Sequence, residues 1–111
     1  MKRVYIAGAL SASSIEYTNN LHKMFTEAEK VHKLGYAVYV PGLTHFLGVM
    51  FGNWTYEDHF NTGIAFLEKC DAIYVVPGWE NSEGTKRELE CARVNHIPIF
   101  YELTVLVKEV K

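Results

Sequence analysis

The sequence predicts an α/β fold, a three-layer α/β/α sandwich around a four- to five-stranded parallel sheet of the flavodoxin/Rossmann-like kind. Three observations lead there. Four apolar runs rich in β-branched and aromatic residues recur along the chain, each is nearly continuous rather than alternating, and helical patterns separate them. Strand–helix alternation makes successive strands parallel through right-handed crossovers, with helices on both faces.

The first run is "RVYIAG" (3–8). A helix follows, with Tyr17, Leu21, Met24, Phe25, Ala28, Val31 and Leu34 on one face and Gly35 as its stop. "YAVYVP" (36–41) is the second strand. Residues 45–56, "HFLGVMFGNWTY", carry aromatics and glycines without clear periodicity. They read either as a loop packing its own hydrophobes or as a lid that lays Phe46, Phe51 or Trp54 over a flat ring. Tyr56, Phe60, Ile64 and Leu67 make a second helical stripe, and "AIYVVP" (72–77) the third strand. A third helix runs from about Glu83 to Asn95, and "IPIFYE" (97–102) is the fourth strand. Leu103, Leu106, Val107 and Val110 suit a closing helix, while "TVLVKEV" also suits a fifth strand.

A chain of 111 residues is expected to form one domain, residues 1–111, burying roughly 65% of its unfolded surface. Its net charge of −2 leaves no basic stripe and argues against a nucleic-acid polymer as partner. No apolar stretch approaches the roughly 20 residues of a membrane span, and the N-terminal "MKRVYIAGAL" reads as a strand rather than a signal peptide. Cys70 and Cys91 show no C-x-x-C spacing and read as reduced thiols of a cytoplasmic protein. The five histidines have no ligand spacing, so no metal is expected.

Parallel sheets bind ligands beyond the carboxyl ends of their strands. That rim holds residues 8–14, 41–48, 77–84 and Tyr101–Glu102. "AGALSASS" has neither the three glycines of a dinucleotide fingerprint nor a G-K-[ST]. Gly8 permits a close turn, and Ser11, Ser13 and Ser14 are either an anion site or ordinary N-cap serines. His45 is a base or phosphate contact or a plain loop histidine, and Trp79 a stacking residue or a packed one. Asp71 precedes its strand, so about 20 Å separates it from the rim.

The sharpest question concerns Glu88 in "PGWENSEGTKRELECA". "TKRE" fits a capping box with Thr85 as N-cap and Glu88 at N3. Under a competing start, Ser82 is the N-cap, Glu83 lies in the first turn, and Glu88 leans on Cys91 and Ala92 as a buried acid. Such surroundings allow a carboxylate to act as nucleophile or base.

"RVYIAGALS", "GYAVYVPGLTHF" and "LEKCDAIYVVPGWENSEGTKRELECARVNHIPIFYE" resemble the nucleoside 2-deoxyribosyltransferase-like superfamily, and most closely its small DUF4406-type branch. The resemblance spans Arg3 to Glu102. It implies that Glu88, in "ELECA", is the nucleophile that attacks the anomeric carbon, and that Tyr5 hydrogen-bonds it. Ser82 matches the position that contacts the sugar-phosphate side, and Gly8 to Ser14 the loop that holds a 5′-phosphate in related nucleotide N-glycosidases. Two positions depart from the pattern. Gly63 replaces an aspartate near the base, with Asp58, His59 and Asn61 as candidate stand-ins about a turn earlier, and the first loop lacks an arginine.

The implied substrate is a small nucleoside or nucleoside 5′-monophosphate, with no cofactor. Gly84, His45, Trp54, Asp58 and Trp79 join Gly8, Ser11, Ser13 and Ser82 as binding candidates. Relatives build their sites between subunits, so the resemblance also implies a homodimer or higher homo-oligomer.

Overall fold

The four apolar runs form the sheet. The computed structural model describes residues 1–10 and 14–110. Its strands are β1 (Arg3–Ala7), β2 (Ala37–Tyr39), β3 (Ala72–Val75) and β4 (Ile99–Phe100), all parallel and ordered β2-β1-β3-β4. The helices are α1 (Ser14–Lys33), α2 (Pro41–Phe51), α3 (Tyr56–Leu67), α4 (Glu83–Val94) and α5 (Leu103–Val110). The C-terminal segment is thus the closing helix, and the described sheet has four strands, not five.

Side-chain alternation along β1 divides the core. Val4 and Ile6 point to one face and pack with Met24, Ala28 and Val31 of α1 and Leu106 of α5. Tyr5 and Ala7 point to the other face, against Leu67 of α3 and Leu89 and Ala92 of α4. Both faces are covered, which explains why the strands lack polar alternation.

The buried face carries an ionic contact as well. Glu27 of α1 accepts a 2.7 Å hydrogen bond from the Tyr74 hydroxyl and a 2.8 Å bond from Lys30 Nζ. Burial alone would push its pKa up, but these two donors and the Lys30 and Lys23 charges outweigh it and hold the carboxyl below its ordinary value.

The connections lead away from β1 in opposite directions. After α1 the chain joins β2 on one side, then crosses by α2 and α3 to β3 on the other. The crevice at this switch point opens where β1 and β3 end. Val76 N–H donates to the Ala7 carbonyl at 2.7 Å, and a Cβ on Gly8 would stand 3.0 Å from Val76 Cβ. Glycine at position 8 is what lets the two strand ends converge. Asp71 lies at the far end, where its carboxylate accepts the Arg3 N–H at 2.7 Å, as its place before β3 requires.

Residues 41–51 correct the expectation of a rim loop or lid, for they form α2. Pro41 supplies a first-turn residue, and Gly52 ends the helix with φ 71°. Gly42 is buried; a Cβ there would lie 2.6 Å from Leu21 Cδ1, so the glycine lets α2 rest on α1. Leu43, Phe46, Leu47, Met50 and Phe51 follow helical spacing, yet they are 44–71% exposed. Phe46 and Phe51 therefore face outward and do not cover the crevice. No helix among the described residues is long and apolar enough to cross a membrane.

Candidate active site

A cavity of about 760 Å³ occupies the crevice, walled by the β1 end, α2, α3, the loop after β3 and the first turns of α4. It is lined mainly by aromatic, glycine and small polar residues. Its charged lining is acidic: Glu16, Glu83 and Glu88 reach it, and no lysine or arginine does among the described lining residues. Lys23 stands at its edge, where its Nζ would be 3.1 Å from a Cβ on Gly78.

Helix α4 carries Glu88 into this cavity. Ser82 is the N-cap, its hydroxyl accepting the Thr85 N–H at 3.2 Å, which settles the start of α4 in favour of Ser82. A cap of this kind is worth about 1 kcal/mol. Thr85 Oγ1 donates to the same Ser82 oxygen at 3.0 Å. Glu88 then sits between Thr85 and Ala92 at the spacing of one helix face, and both of those residues are buried. It has no capping role.

From β1, the Tyr5 hydroxyl donates to Glu88 Oε2. Burial raises the Glu88 pKa and the Tyr5 hydrogen bond lowers it; burial dominates and places it at about 7. Tyr5 is 1% exposed, and burial first, then the Glu88 carboxylate, push its phenol well above the usual range. It stays a donor. The ring of Tyr39 sets its angle, edge-on at 5.3 Å.

Gly63 of α3 completes this corner. A Cβ there would stand 2.6 Å from Tyr5 Oη and 4.0 Å from Glu88 Oε2. No side chain of any size fits at position 63 while Tyr5 holds Glu88.

Opposite them runs a row of rings. Tyr17 Oη and His45 Nδ1 are hydrogen-bonded at 2.9 Å, His45 lies 4.6 Å from His59, and His59 lies 5.0 Å from Trp54, centroid to centroid. Burial lowers the pKa of both histidines; for His45 the neighbouring His59 adds to the effect, and for His59 nearby Asp58 partly opposes it. Arg87 closes the outer edge, stacking 3.7 Å above Phe60 and pairing with Glu57 at 2.8 and 3.2 Å.

Of the residues singled out from sequence, Tyr5, Gly8, His45, Trp54, Ser82, Gly84 and Glu88 line the cavity. Ser11 and Ser13 lie outside the described residues. Two candidates do not line the cavity. Asp58 is exposed and closes a capping box on α3, accepting Thr55 N–H at 2.8 Å while its own N–H donates to Thr55 Oγ1 at 3.0 Å. "TYED" fits the [ST]-x-x-[DE] pattern, so this role was readable. Trp79 turns from the cavity to pack on the second core cluster and lies 5.8 Å from Tyr101. Of the three stand-ins that the resemblance offers for the missing aspartate, Asp58, His59 and Asn61, His59 alone lines the cavity. Among the described residues, no three of His, Cys, Asp and Glu are grouped to hold a metal.

The open parallel sheet belongs to an architecture already seen in solved structures. A 2-deoxyribosyltransferase from Bacillus psychrosaccharolyticus, described as a biocatalyst for synthesis of antiviral and antitumoral nucleosides, has this fold. The TM-score is 0.62 at 20% identity, over 87% of this chain and 69% of that one. Residues 2–101 match the family described as a domain of unknown function, DUF4406, and the chain belongs to that family. No curated protein matches it.

Proposed function

We propose that this protein cleaves or transfers at the N-glycosidic bond of a nucleoside or nucleoside 5′-monophosphate, with Glu88 as nucleophile. One observation carries the reading: Glu88 faces a cavity large enough for a nucleoside while Tyr5 fixes its carboxylate from the adjacent strand. The shared fold with a 2-deoxyribosyltransferase supports the same class of chemistry.

Ionised Glu88 attacks C1′ as the base departs with the bonding pair, through an oxocarbenium-like transition state. A glycosyl-enzyme results. Water or a second base then attacks C1′, returning the carboxylate with net retention. A pKa of about 7 leaves Glu88 substantially ionised at neutral pH and basic enough to form the bond. Tyr5 donates throughout and steadies the carboxylate, and Ser82 and the Gly8 loop bound the sugar end. The row of rings beside Trp54 offers a surface on which the base stacks.

A second reading, a nucleotide-binding protein with the same pocket but no turnover, is favoured by Gly63, which supplies no acid beside the base. Both are tested together by incubating the protein with nucleosides and 5′-monophosphates and following free base by chromatography. Base release supports the enzyme. Calorimetric binding without release supports the second reading. A second base added as acceptor separates transfer from hydrolysis.

We also propose that the chain assembles with copies of itself. The exposed apolar face of α2, from Leu43 to Phe51, supports this, because such a stripe is costly to leave in water. Sedimentation velocity tests it, and a monomer at working concentration would refute it.

A further inference from the structure

Tyr56 opens the apolar stripe of α3, yet it is 48% exposed and stands in the cavity wall rather than in the core. Its ring reaches from α3 to α4. A Cβ on Gly84, in the first turn of α4, would lie 3.3 Å from the Tyr56 hydroxyl oxygen, and Gly84 lines the same cavity. Glycine at that position leaves the phenol room to rest against the turn.

Two neighbours fix the ring. It stacks with Phe60, 6.4 Å between centroids and 15° from parallel. The guanidinium carbon of Arg87 lies 5.5 Å from the Tyr56 centroid and 3.7 Å from that of Phe60, while Glu57 accepts from Arg87 with both carboxylate oxygens. A ring gripped in this way gives up little rotamer freedom when a ligand meets it.

Glu88 follows Gly84 by four residues on the same face of α4, about 6 Å along the axis. Helical side chains lean toward the N-terminus, so the Glu88 carboxylate leans toward the turn on which the Tyr56 hydroxyl rests. Displacement at C1′ sets the attacking oxygen and the departing base on opposite sides of that carbon. The sugar therefore lies against the carboxylate and the first turns of α4, and the base points away from them.

We infer that Tyr56 is a specificity-determining residue whose hydroxyl hydrogen-bonds the 3′- or 5′-hydroxyl of the sugar, the two that stand a few bonds beyond C1′. The ligand class is a furanosyl nucleoside with that hydroxyl free. The inference rests on the nucleoside reading above and names the group that recognises its sugar.

The test compares Tyr56→Phe with its parent, both carrying Glu88→Gln so that no ligand turns over. Phenylalanine keeps the ring against Phe60 and Arg87 and removes only the hydroxyl; thermal melts verify that the variant folds. Calorimetry uses three ligands with the base that the parent binds best: the 2′-deoxynucleoside, the 2′,3′-dideoxynucleoside and the 2′,5′-dideoxynucleoside. The variant should bind the 2′-deoxynucleoside about 5- to 15-fold more weakly than the parent, and one of the two dideoxynucleosides within about 2-fold of it, because that ligand lacks the hydroxyl Tyr56 meets. Undiminished binding of the 2′-deoxynucleoside overturns the inference. So does equal weakening of all three ligands, or no nucleoside binding by the parent. If the expected pattern appears but protein with intact Glu88 releases no base, the glycosidic reading fails and the assignment of Tyr56 stands. Base release together with equal weakening of all three ligands does the reverse.

Discussion

Gly63 and Tyr5 occupy one volume between them: a Cβ on Gly63 would stand 2.6 Å from the Tyr5 hydroxyl oxygen. The missing side chain is what lets a strand tyrosine reach a helix glutamate across the packed layer. Gly63→Ala should therefore cost about 1–3 kcal/mol of stability, since the buried helix and strand have little freedom to part. Urea unfolding measures this. A change within about 0.5 kcal/mol would mean that the corner is looser than its geometry indicates.

Tyr5→Phe removes the one interaction that draws the Glu88 pKa downward and leaves burial unopposed. The pKa should rise above about 7, so the acid limb of base release moves to higher pH and activity at neutral pH falls. A pH–rate profile of the variant decides the matter; an unshifted limb would show that Tyr5 does not tune the carboxylate.

The two tyrosine–glutamate pairs should respond to pH with opposite sign. Glu88 titrates at about 7 against 4.5 for an ordinary glutamate, so between those values the folded chain keeps a proton that the unfolded chain has released. Its contribution is fully present below about pH 4.5 and is lost as pH rises through 7. Glu88→Gln, which still accepts from Tyr5, should be more stable than the parent at pH 8, by about 1–2 kcal/mol after allowance for partial exposure, and similar to it at pH 4.

Glu27 behaves the other way. Its pKa is lowered on folding, so its contribution is present above the ordinary glutamate value and lost as pH falls through the folded one. Glu27→Gln should cost about 1–3 kcal/mol at pH 7 and progressively less in acid. Denaturant unfolding across pH, with both variants, measures the two signs together.

The charge around the cavity bears on the substrate. With Glu16, Glu83 and Glu88 at the wall, and Lys23, Lys86 and Arg87 at the edge, the last two already paired with Glu83 and Glu57, a 5′-phosphate meets repulsion that a free hydroxyl avoids. The kcat/KM for a nucleoside should exceed that for its 5′-monophosphate by at least about 10-fold at low salt. A preference for the monophosphate would show that other cations complete the site.

Much of the fold could be read from sequence because continuous apolar strands and inward-facing helical stripes arise from burial itself. Val4 to Ala7 and Met24 to Val31 are examples. Helix α2 escaped because its apolar stripe points to solvent and glycines interrupt it, so its pattern records no contact within the chain. In the site, the neighbourhood of the rim pointed to Glu88 and the resemblance alone to Tyr5; the hydrogen bond between them is what the structure adds. Trp79 was not legible, since rim position does not say which way a side chain turns, while Asp58 was readable as a cap through "TYED". Asp58 turns back to cap its own helix, and Trp79 packs inward. His59 was readable only as one of three stand-ins near Gly63, and the fold distinguishes it from Asp58 and Asn61 by bringing it to the cavity wall.

The central claim is that the Glu88 carboxylate forms the bond to C1′. Its most direct test is base release by Glu88→Gln, measured on the best substrate of a nucleoside panel at pH 8, where the parent carboxylate is ionised. The amide keeps the size and the contact with Tyr5 but cannot act as the nucleophile. The expected result is a loss of at least about 100-fold in kcat with nucleoside binding retained. Release within about 10-fold of the parent would contradict the account, for the reaction would then proceed without the carboxylate around which the site is built.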